Sequence, residues 1–314
     1  MKIYKVKKYQ ESDFENWNAF VAQAKNATFL FHRDFMEYHK DHRFEDYSLI
    51  VLDGEKWVAV LPANRVGDEI FSHQGLTYGG LVYSEKLGAE VVREILDMLL
   101  NFLIENKFRN LILKLIPNFY HLSSSNEIDY FLFYKKAQLI NRSMNLAINY
   151  NNNLHISKSK LKHFKRISKL GITIIEQEDC TLFWNSILIP RLQEKHNVSP
   201  VHSLEEINSL KLEFSKNIKQ FNAYFQGEIV AGITLFCSQK VVKSQYGATS
   251  SQGEKIRALD YLFISLIKKF ELEYSYFDMG VVDDKDMFNK GLLKQKEELG
   301  CSVWVQDTYK INLI

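Results

Sequence analysis

The chain has 314 residues, enough for two domains of roughly 150 residues each. Hydrophobic residues make up 46% of it and charged residues 25%, which is typical of packed globular proteins and excludes a disordered chain. The net charge of +2 is too small to indicate polyanion binding through overall charge, so any phosphate group must be bound by a local cluster of cations.

Neither a membrane span nor a disulfide scaffold is predicted. The longest apolar run, near 96–104, is shorter than the roughly 18–20 residues that a spanning helix needs and is interrupted by Asn101. Residues 1–10 lack the apolar core of a signal peptide. The cysteines form no CxxC pair, and their odd number leaves one unpaired. We therefore expect a cytoplasmic protein with reduced thiols and no zinc site.

The first half of the chain has the pattern of a hairpin, a third strand, a helix and a fourth strand. The predicted segments are, in chain order, 47–53, 56–65, 69–80, 88–106 and 110–116. Gly54-Glu55 marks the hairpin turn, and Tyr78-Gly79-Gly80 ends the third strand. In the fourth of these segments apolar residues recur every three or four positions, which predicts an amphipathic helix.

The second half repeats this order. Its segments are 221–225, 229–237, 240–249, 257–270 and 276–281. Both hairpin turns contain Gly-Glu, and in both third strands a tyrosine near the end, Tyr78 or Tyr246, is followed by glycine and a small residue. We interpret the repeat as a duplication and predict two domains, 1–150 and 151–314.

A basic segment lies between the two repeats. Residues 157–170 form a predicted amphipathic helix, and no acidic residue occurs between 151 and 175. Its six cations are Lys158, Lys160, Lys162, Lys165, Arg166 and Lys169. Such a face is either simply solvated or a contact for the phosphates of a nucleotide or RNA. Further helices are predicted over 179–196 and 203–215, the second with Ser203 as its N-cap.

Several short segments together resemble a known family. They are FLFHRDFMEYH (29–39), SHQGLTYGG (72–80), YFDMG (276–280) and FNKGLLKQKEELG (288–300). In this order they resemble the tandem-GNAT, Fem-like N-acyltransferases, and within that group the sugar N-acyltransferases that act on nucleotide-linked 3-amino-3,6-dideoxyhexoses. The resemblance extends over about residues 26–309. It implies an α/β (α+β) fold of two tandem GNAT-like domains, each with a mixed, mostly antiparallel twisted sheet flanked by helices.

The resemblance implies transfer of an acyl group, such as 3-hydroxybutanoyl or acetyl, from acyl-CoA to the amine of a dTDP-linked aminodeoxysugar, without a metal ion. One alternative is a Fem-type aminoacyl transferase that uses charged tRNA on a peptidoglycan precursor, in which the basic helix would contact the tRNA. Another is a non-catalytic, degenerate GNAT pair that serves as a binding module. Small-molecule substrates are expected in the first case, and a nucleic acid only in the second.

By resemblance, the pyrophosphate of coenzyme A binds at the start of the helix after the third strand. A typical GNAT has the loop Gln/Arg-x-x-Gly-x-Gly/Ala there, whereas 250–257 and 82–88 each contain a single glycine. We expect Gly253 to permit close approach of the pyrophosphate, and Lys255 and Arg257 to add positive charge. The alternative is an ordinary strand-to-helix loop, and the equivalent loop of the first domain leaves open which domain binds coenzyme A.

Acyl transfer from a thioester needs a neutral amine, aligned reactants and hydrogen-bond donors for the oxyanion. Asp278 stands in an apolar predicted strand, where burial would raise its pKa towards that of a useful base. His73, on the third strand of the first domain, has an imidazole suited to accepting the ammonium proton. The hydroxyl of Tyr246 is suited to protonating the leaving thiolate. The alternative for Asp278 is a structural ion pair, for His73 a structural hydrogen bond, and for Tyr246 a place in the core.

The remaining candidates are substrate ligands. Arg33 is expected to bind a diphosphate, Tyr38 to stack on a nucleotide base, and Tyr78 to bind sugar oxygens. Asn289 and Lys290 precede the last predicted helix and are expected to meet the substrate. The alternative for Asn289 is that it is only the N-cap of that helix.

Overall fold

The computed structural model describes residues 4–39, 43–285 and 287–314. Its strands are β1 (Tyr4–Lys8), β2 (Glu45–Asp46), β3 (Leu49–Asp53), β4 (Lys56–Leu61), β5 (Asn64–Val66), β6 (Glu69–Phe71), β7 (Val82–Tyr83), β8 (Asn110–Lys114), β9 (Gln138–Asn149), β10 (Thr173–Gln177), β11 (Ile218–Phe225), β12 (Glu228–Cys237), β13 (Val241–Thr249), β14 (Tyr276–Val281) and β15 (Ser302–Asn312). Its helices are α1 (Phe14–Gln23), α2 (Arg33–Met36), α3 (Ala89–Glu105), α4 (Glu127–Tyr134), α5 (Lys158–Ile167), α6 (Thr181–Phe183), α7 (Ile189–His196), α8 (Leu204–Glu213), α9 (Ser251–Ile256), α10 (Ala258–Phe270) and α11 (Lys290–Glu298). Within the described residues, no helix combines the length and apolar character that crossing a membrane requires.

By packing, the chain forms two units. Unit 1 consists of Met1–Ser143 and Val305–Ile314, and unit 2 of Met144–Trp304. The chain passes between them within β9 and again within β15, so residues 305–314 pack in unit 1. Each unit contains the predicted order of hairpin, third strand, helix and fourth strand. The mixed, mostly antiparallel α/β architecture predicted from the sequence is confirmed.

Unit 1 is built on two sets of strands that α3 covers. The strands β1-β3-β4-β7 pair antiparallel, and β15-β8-β6-β5-β2 pair in the other set, in which β6 and β8 are parallel. The predicted apolar stripe of α3, including Ile95 and Leu99, is buried. It packs in one core with Leu111 and Leu113 of β8, so the alternate side chains of β8, such as Lys114, lie on the other sheet face.

The third strand of unit 1 is not continuous. The predicted run 69–80 forms only the short strand β6, after which residues 72–78 leave the sheet as a loop, named here the 72–78 loop. Ser72 N donates to a carbonyl of β8 at 2.8 Å and Gly79 N to another carbonyl of that strand at 2.7 Å, so the chain leaves and rejoins the same strand. A Cβ at position 79 would lie 1.9 Å from the carbonyl oxygen of Ser72, and glycine alone lets the two ends of the loop meet.

Unit 2 contains strands in the order β10-β11-β12-β13-β14-β9, antiparallel except for β13 and β14. The predicted apolar stripe of α10, including Leu262 and Leu266, is buried in one core with Ile233 of β12. Ser203 caps α8 as predicted, in a reciprocal capping box with Glu206.

In unit 2 a short helix that the sequence did not predict precedes the predicted helix 257–270. α9 starts at Ser251, and Ser250 is its N-cap through a hydrogen bond from Gly253 N at 3.1 Å. Arg257 is the left-handed joint between α9 and α10, with a φ of 60°, and α10 (Ala258–Phe270) is the helix predicted over 257–270. Sequence reasoning missed α9 because the Ser-Ser-Gln-Gly segment has loop-forming residues, of which the first serine in fact caps a short helix.

Gly79→Ala is expected to lower the free energy of unfolding by about 1–3 kcal/mol, because its methyl group overlaps the carbonyl oxygen of Ser72 and the loop end must shift. Gly88→Ala is the matched control, since nothing lies within 4 Å of a Cβ there and its φ of −77° suits any residue. Chemical denaturation of both variants measures the difference. Equal unfolding midpoints would contradict the close approach at Gly79.

Candidate functional site

The parallel strands of unit 2 separate after a short pairing. Val241–Lys243 of β13 pair with Tyr276–Asp278 of β14, and within the described residues the pairing goes no further, although β13 continues to Thr249. The gap between residues 244–249 of β13 and residues 279–281 of β14 is named here the notch. On that edge of β13 the main-chain N–H and C=O groups are left without a paired strand, so an extended ligand can bind to them.

A β-bulge lies at the edge of the notch. The register between β12 and β13 shifts between Thr234 and Leu235, which leaves Gln245 as the extra residue of β13. The side-chain oxygen of Gln245 is buried and accepts no hydrogen bond from the described residues. Gly247 is exposed, and a Cβ there would make only ordinary contacts, the nearest at 3.4 Å from the ring of Phe263. The fold does not require glycine at this position, whereas a ligand that approaches the main chain closely would.

Asp278, predicted as a base, lies at the inner end of the notch. Its side chain is 2% exposed, its Oδ2 lies 3.2 Å from Lys243 Nζ, and its Oδ1 accepts a hydrogen bond from Gly280 N at 2.7 Å. The ion pair joins β14 to β13 at their last residue pair, and the second bond holds the left-handed Gly280 (φ 76°). These contacts give Asp278 a positioning role, and its role as a base stays a prediction.

A second buried cation supports the same turn. Lys296 of α11 is 5% exposed, and its Nζ donates to the carbonyls of Gly280 and Val281, both at 2.9 Å. Burial lowers the pKa of Lys296 to about 8, although the nearby Asp278 acts in the opposite direction. Lys296 therefore satisfies two main-chain carbonyls at the point where β14 leaves β13.

Tyr246 directly follows the bulge. Its hydroxyl lies 2.6 Å from His202 Nδ1 and 3.3 Å from the backbone N of His202, and its ring packs edge-on against Trp184. Burial raises the pKa of Tyr246 to about 12, so the phenol keeps its proton at neutral pH. The structure thus places a neutral hydroxyl, held by a histidine, beside the notch.

The three predicted cofactor ligands lie in different environments. A Cβ at Gly253 would lie 2.1 Å from the carbonyl oxygen of Val230, so the packing of α9 on β12 explains this glycine without a ligand. Lys255 and Arg257 are both exposed. The pKa of His163 in α5 is lowered by desolvation and then by Arg257, which places Arg257 beside α5.

The predicted basic helix is α5, extended by a turn of 3-10 helix to Leu170. Lys160 is buried and pairs with Asp260 at 2.6 Å, so this cation does not contribute to the surface. The other five cations are exposed and are named here the basic face: Lys158, Lys162, Lys165, Arg166 and Lys169. Arg257 adds to it, and unit 2 therefore carries a local concentration of positive charge.

Unit 1 has a pocket of about 420 Å³ between the 72–78 loop and the sheet. Its lining residues are Phe71, Ser72, His73, Gln74, Leu76, Ile112, Lys114, Ile140 and Thr308. Phe71 pairs with Ile112 and Lys114 pairs with Thr308, so these side chains share the sheet face that lies opposite the core. The backbone N of Gln74 donates to Asn64 Oδ1 at 2.7 Å, which ties the loop to β5.

His73, predicted as a base, forms part of the wall of this pocket. It is 6% exposed, has a φ of 62°, and its ring lies 5.3 Å from that of Phe44. Its Nδ1 is buried and has no hydrogen-bond partner among the described residues. Burial lowers the pKa of His73 to about 4, so the imidazole is neutral at pH 7. The structure brings His73 together with Lys114 and Thr308, which the sequence did not single out.

Two predicted substrate ligands of unit 1 have structural partners. Arg33 is 2% exposed, its Nε donates to Glu37 Oε1 at 2.7 Å, and its guanidinium carbon lies 3.8 Å from the ring of Tyr9. Tyr78 is also 2% exposed, and its hydroxyl bonds to Thr28 Oγ1 at 3.0 Å. These contacts account for both side chains as part of the packing of unit 1, without a diphosphate or a sugar.

The other predicted ligands are more accessible. Tyr38 is half-buried, with its ring 3.9 Å from that of His39. Asn289 is the N-cap of α11, since its Oδ1 accepts a hydrogen bond from Leu292 N at 2.9 Å. Lys290 is exposed in the first turn of that helix. Asn289 therefore acts as a helix N-cap, which is the alternative role considered for it above.

Sequence reasoning missed Gln245 at the notch and both Lys114 and Thr308 in the pocket. A charged residue within the apolar run 110–116 is unusual, and this is the signal in the sequence that points to Lys114. Gln245 carries no such signal, since a bulge depends on the register with another strand. Among residues 4–39, 43–285 and 287–314, no cluster of His, Cys, Asp or Glu side chains is arranged to hold a metal ion.

No family model matches the sequence, and no curated protein sequence matches it. Solved structures do match. FemX is 11% identical, with 98% of this chain and 97% of FemX covered and a TM-score of 0.69. L-PGS from Bacillus licheniformis is 16% identical, with 96% and 92% covered and a TM-score of 0.62. A tandem GNAT protein from the clavulanic acid biosynthesis pathway is 7% identical, with 99% of each chain covered and a TM-score of 0.50.

At these identities the likeness concerns the fold alone. It extends over nearly the whole length of this chain and of each of the three proteins. The predicted fold of two tandem GNAT-like domains is therefore confirmed.

Proposed function

We propose that the chain is an N-acyltransferase whose acyl donor binds in the notch of unit 2. The observation that supports this most directly is the separation of β13 from β14 beyond Lys243 and Asp278, with a bulge at Gln245. The GNAT fold that the sequence resembles has a splayed central strand at the corresponding place. The fold likeness to FemX and to a tandem GNAT protein supports the same class of reaction.

The proposed donor is an acyl-CoA, with acetyl or 3-hydroxybutanoyl as the acyl group. The proposed acceptor is the amine of a dTDP-linked aminodeoxysugar, as the sequence resemblance implies. The notch suits a pantetheine arm because its amide groups can pair with the N–H and C=O groups on the edge of a strand. The absence of a side chain at Gly247, which the fold itself does not require, leaves room for this approach.

The reaction forms a C–N bond and breaks a C–S bond. The neutral amine attacks the thioester carbonyl and an oxyanion forms. The thiolate then leaves, the nitrogen loses a proton to solvent, and the thiolate takes up a proton from solvent as free coenzyme A. Main-chain N–H groups on the β13 edge of the notch are the proposed donors to the oxyanion, and one such donor is worth about 3–4 kcal/mol. Holding the two reactants in line contributes up to about 7–11 kcal/mol, so few side chains are needed.

Tyr246 is the proposed hydrogen-bond donor to the leaving sulfur. With a hydrogen on His202 Nδ1, both this nitrogen and the backbone N of His202 donate to the Tyr246 oxygen, and the phenolic proton remains available to the sulfur. A phenol with a pKa of about 12 holds its proton more tightly than a thiol with a pKa of about 8.5. Tyr246 therefore stabilises the thiolate by a hydrogen bond without losing its proton.

The basic face favours a second candidate function. Its five exposed cations, together with Arg257, suit a polyanion better than a single pyrophosphate. An aminoacyl transferase that takes its acyl group from charged tRNA to a peptidoglycan precursor would use this surface. In that reaction an aminoacyl ester takes the place of the thioester.

Gly247→Val is expected to weaken coenzyme A binding by at least about 100-fold, because its side chain occupies the path of the donor, while a Cβ there is tolerated by the fold. Isothermal titration calorimetry measures the affinity. Gly88→Val, in the equivalent loop of the first domain where nothing lies within 4 Å of a Cβ, is expected to leave the affinity unchanged, and a loss of affinity there instead would move the donor to unit 1. Full coenzyme A affinity in a folded Gly247→Val variant would remove the donor from the notch.

Tyr246→Phe is expected to lower kcat for acyl transfer by about 10- to 100-fold with little change in donor affinity, because the lost bond acts on the leaving sulfur. Tyr150→Phe is the matched control, since it too removes the hydroxyl of a buried hydrogen bond, to the Ile267 carbonyl at 2.8 Å. Both variants should lose about 1 kcal/mol of stability. A similar kcat in the two variants would make the role of Tyr246 purely structural.

The choice of donor is tested by thermal unfolding with coenzyme A and, separately, with tRNA. Coenzyme A is expected to stabilise the protein, by about 2.7 kcal/mol at a concentration 100 times its Kd. Combined replacement of Lys162, Lys165 and Arg166 by glutamine should leave this effect unchanged. Stabilisation by tRNA alone, lost in the same variant, would replace the first function by the second. Stabilisation by neither would overturn both.

A further inference from the structure

We infer that the pocket of unit 1 binds a small uncharged molecule that has an apolar body and a hydroxyl group, and that His73 pairs with this hydroxyl. The pocket belongs to unit 1 and the notch to unit 2, so the inference does not depend on acyl transfer. It rests on the lining of the pocket, on the unsatisfied ring nitrogen of His73 and on the contacts that hold the 72–78 loop in place.

Much of the pocket lining is apolar. This surface is supplied by Phe71, Leu76, Ile112 and Ile140, of which Ile140 is half exposed. A volume of about 420 Å³ lies within the range of roughly 300–1,000 Å³ that is usual for small-molecule sites. A single ring or a short hydrocarbon chain therefore has room to bind against these side chains.

The polar part of the lining determines the class of ligand. Hydroxyl, imidazole and amide groups are supplied by Ser72, Thr308, His73 and Gln74, and no carboxylate occurs among the described lining residues. Lys114 also lines the pocket, but it already has an interaction partner within the chain. An ionised ligand group would thus lose its hydration without meeting a free charge of opposite sign, whereas an uncharged group loses much less. The lining therefore favours an uncharged ligand.

His73 provides the polar contact. Its buried Nδ1 has no hydrogen-bond partner among the described residues, and such a nitrogen is costly unless a ligand completes its bonding. Burial lowers the pKa of His73 to about 4, so at pH 7 the ring is neutral and carries its proton on one of the two nitrogens. A hydroxyl suits Nδ1 in either case, because it donates to a bare nitrogen and accepts from a protonated one. A group that can only donate or only accept matches one tautomer alone.

The wall that carries His73 is formed before a ligand arrives. Both ends of the 72–78 loop bond to β8, and two hydrogen bonds join Asn64 to Gln74, at 2.7 and 3.0 Å. His73 itself has a φ of 62°, a left-handed conformation that is uncommon for a residue other than glycine. The surrounding contacts hold His73 in this conformation, so little ordering of the wall is needed when a ligand binds.

The test titrates the protein at pH 7 with phenol, toluene and benzoate while the ring nitrogen signals of His73 are followed by NMR. Phenol and toluene have nearly the same shape, and phenol has a hydroxyl where toluene has a methyl group. Phenol is expected to bind at least about tenfold more tightly than toluene and to shift the Nδ1 signal. Equal affinities for phenol and toluene, or an unchanged Nδ1 signal, would overturn the inference. Benzoate binding more tightly than phenol would overturn it too, because the bound group would then be charged.

Two variants of His73 test its contact with the hydroxyl. His73→Gly suits a φ of 62° and removes the ring, so the preference for phenol over toluene is expected to disappear. His73→Asn is the conservative variant, since asparagine tolerates this conformation and its amide can pair with a hydroxyl, and it should keep most of the preference. The ratio of the two affinities is the measurement, because a change in pocket size alters both affinities alike. An unchanged ratio in His73→Gly would remove His73 from the site.

The location of the site is tested from the exposed start of β9. Ile140→Trp places a larger side chain in the pocket and is expected to abolish phenol binding. Leu139→Trp is the matched control, since Leu139 is similarly exposed, 45% against 50% for Ile140, and adjacent residues of a strand point to opposite faces. Both substitutions are at exposed positions, so both variants should fold. Equal phenol affinity in the two variants would show that the pocket is not the site.

Discussion

The ion pair between Asp278 and Lys243 sets the geometry of unit 2. Both charges lie on the last residue pair of β13 and β14, and Asp278 is almost completely buried. Removing one partner of such a pair leaves an uncompensated buried charge, which is strongly destabilising. The same carboxylate also binds Gly280 N, so one side chain fixes both the register of the two strands and the turn at which they part. The notch forms because β13 and β14 pair over only three residues and because the ion pair fixes the point where this pairing ends.

Unit 1 also has two parallel strands that pair over a short length, but different contacts fix the point where they separate. Its parallel strands β6 and β8 also pair over only three residues, Glu69–Phe71 with Asn110–Ile112. There the chain does not leave an open gap: it forms the 72–78 loop and returns to β8 at Gly79, which approaches Ser72 too closely for any side chain. Where unit 2 has an ion pair and an open edge, unit 1 has a close main-chain contact and a pocket. The repeated topology thus supports two different kinds of site.

The sequence predicts the regular elements well because their apolar patterns are local. The stripes of α3 and α10, the strand β14 and the cap at Ser203 were all expected, and each depends on residues close together in the chain. The features that define the sites depend on distant partners. The apolar residues next to Asp278 in the sequence indicate that its carboxylate is buried, but they do not indicate that Lys243 is its partner.

The same limit applies to residues whose chemistry suggests a ligand. Arg33 and Gly253 both have properties that a phosphate site needs, and both are accounted for by packing against their own unit. A positive charge or a small side chain can be needed for packing inside the protein as well as for binding a ligand. Residue type alone therefore does not distinguish the two roles. The contacts that each residue makes in the structure do separate them.

Two polar side chains, His73 beside the pocket and Tyr246 beside the notch, are both neutral at pH 7. Burial keeps the imidazole of His73 unprotonated and the phenol of Tyr246 protonated at pH 7, so both groups are uncharged hydrogen-bonding partners. A neutral group costs less to bury than a charged one, and its hydrogen bond to a negative charge is stronger in a desolvated site than in water. The leaving thiolate of the proposed reaction is such a charge. Because the same desolvation both shifts the pKa and strengthens the bond, burial gives these side chains a chemical role that residue type alone does not.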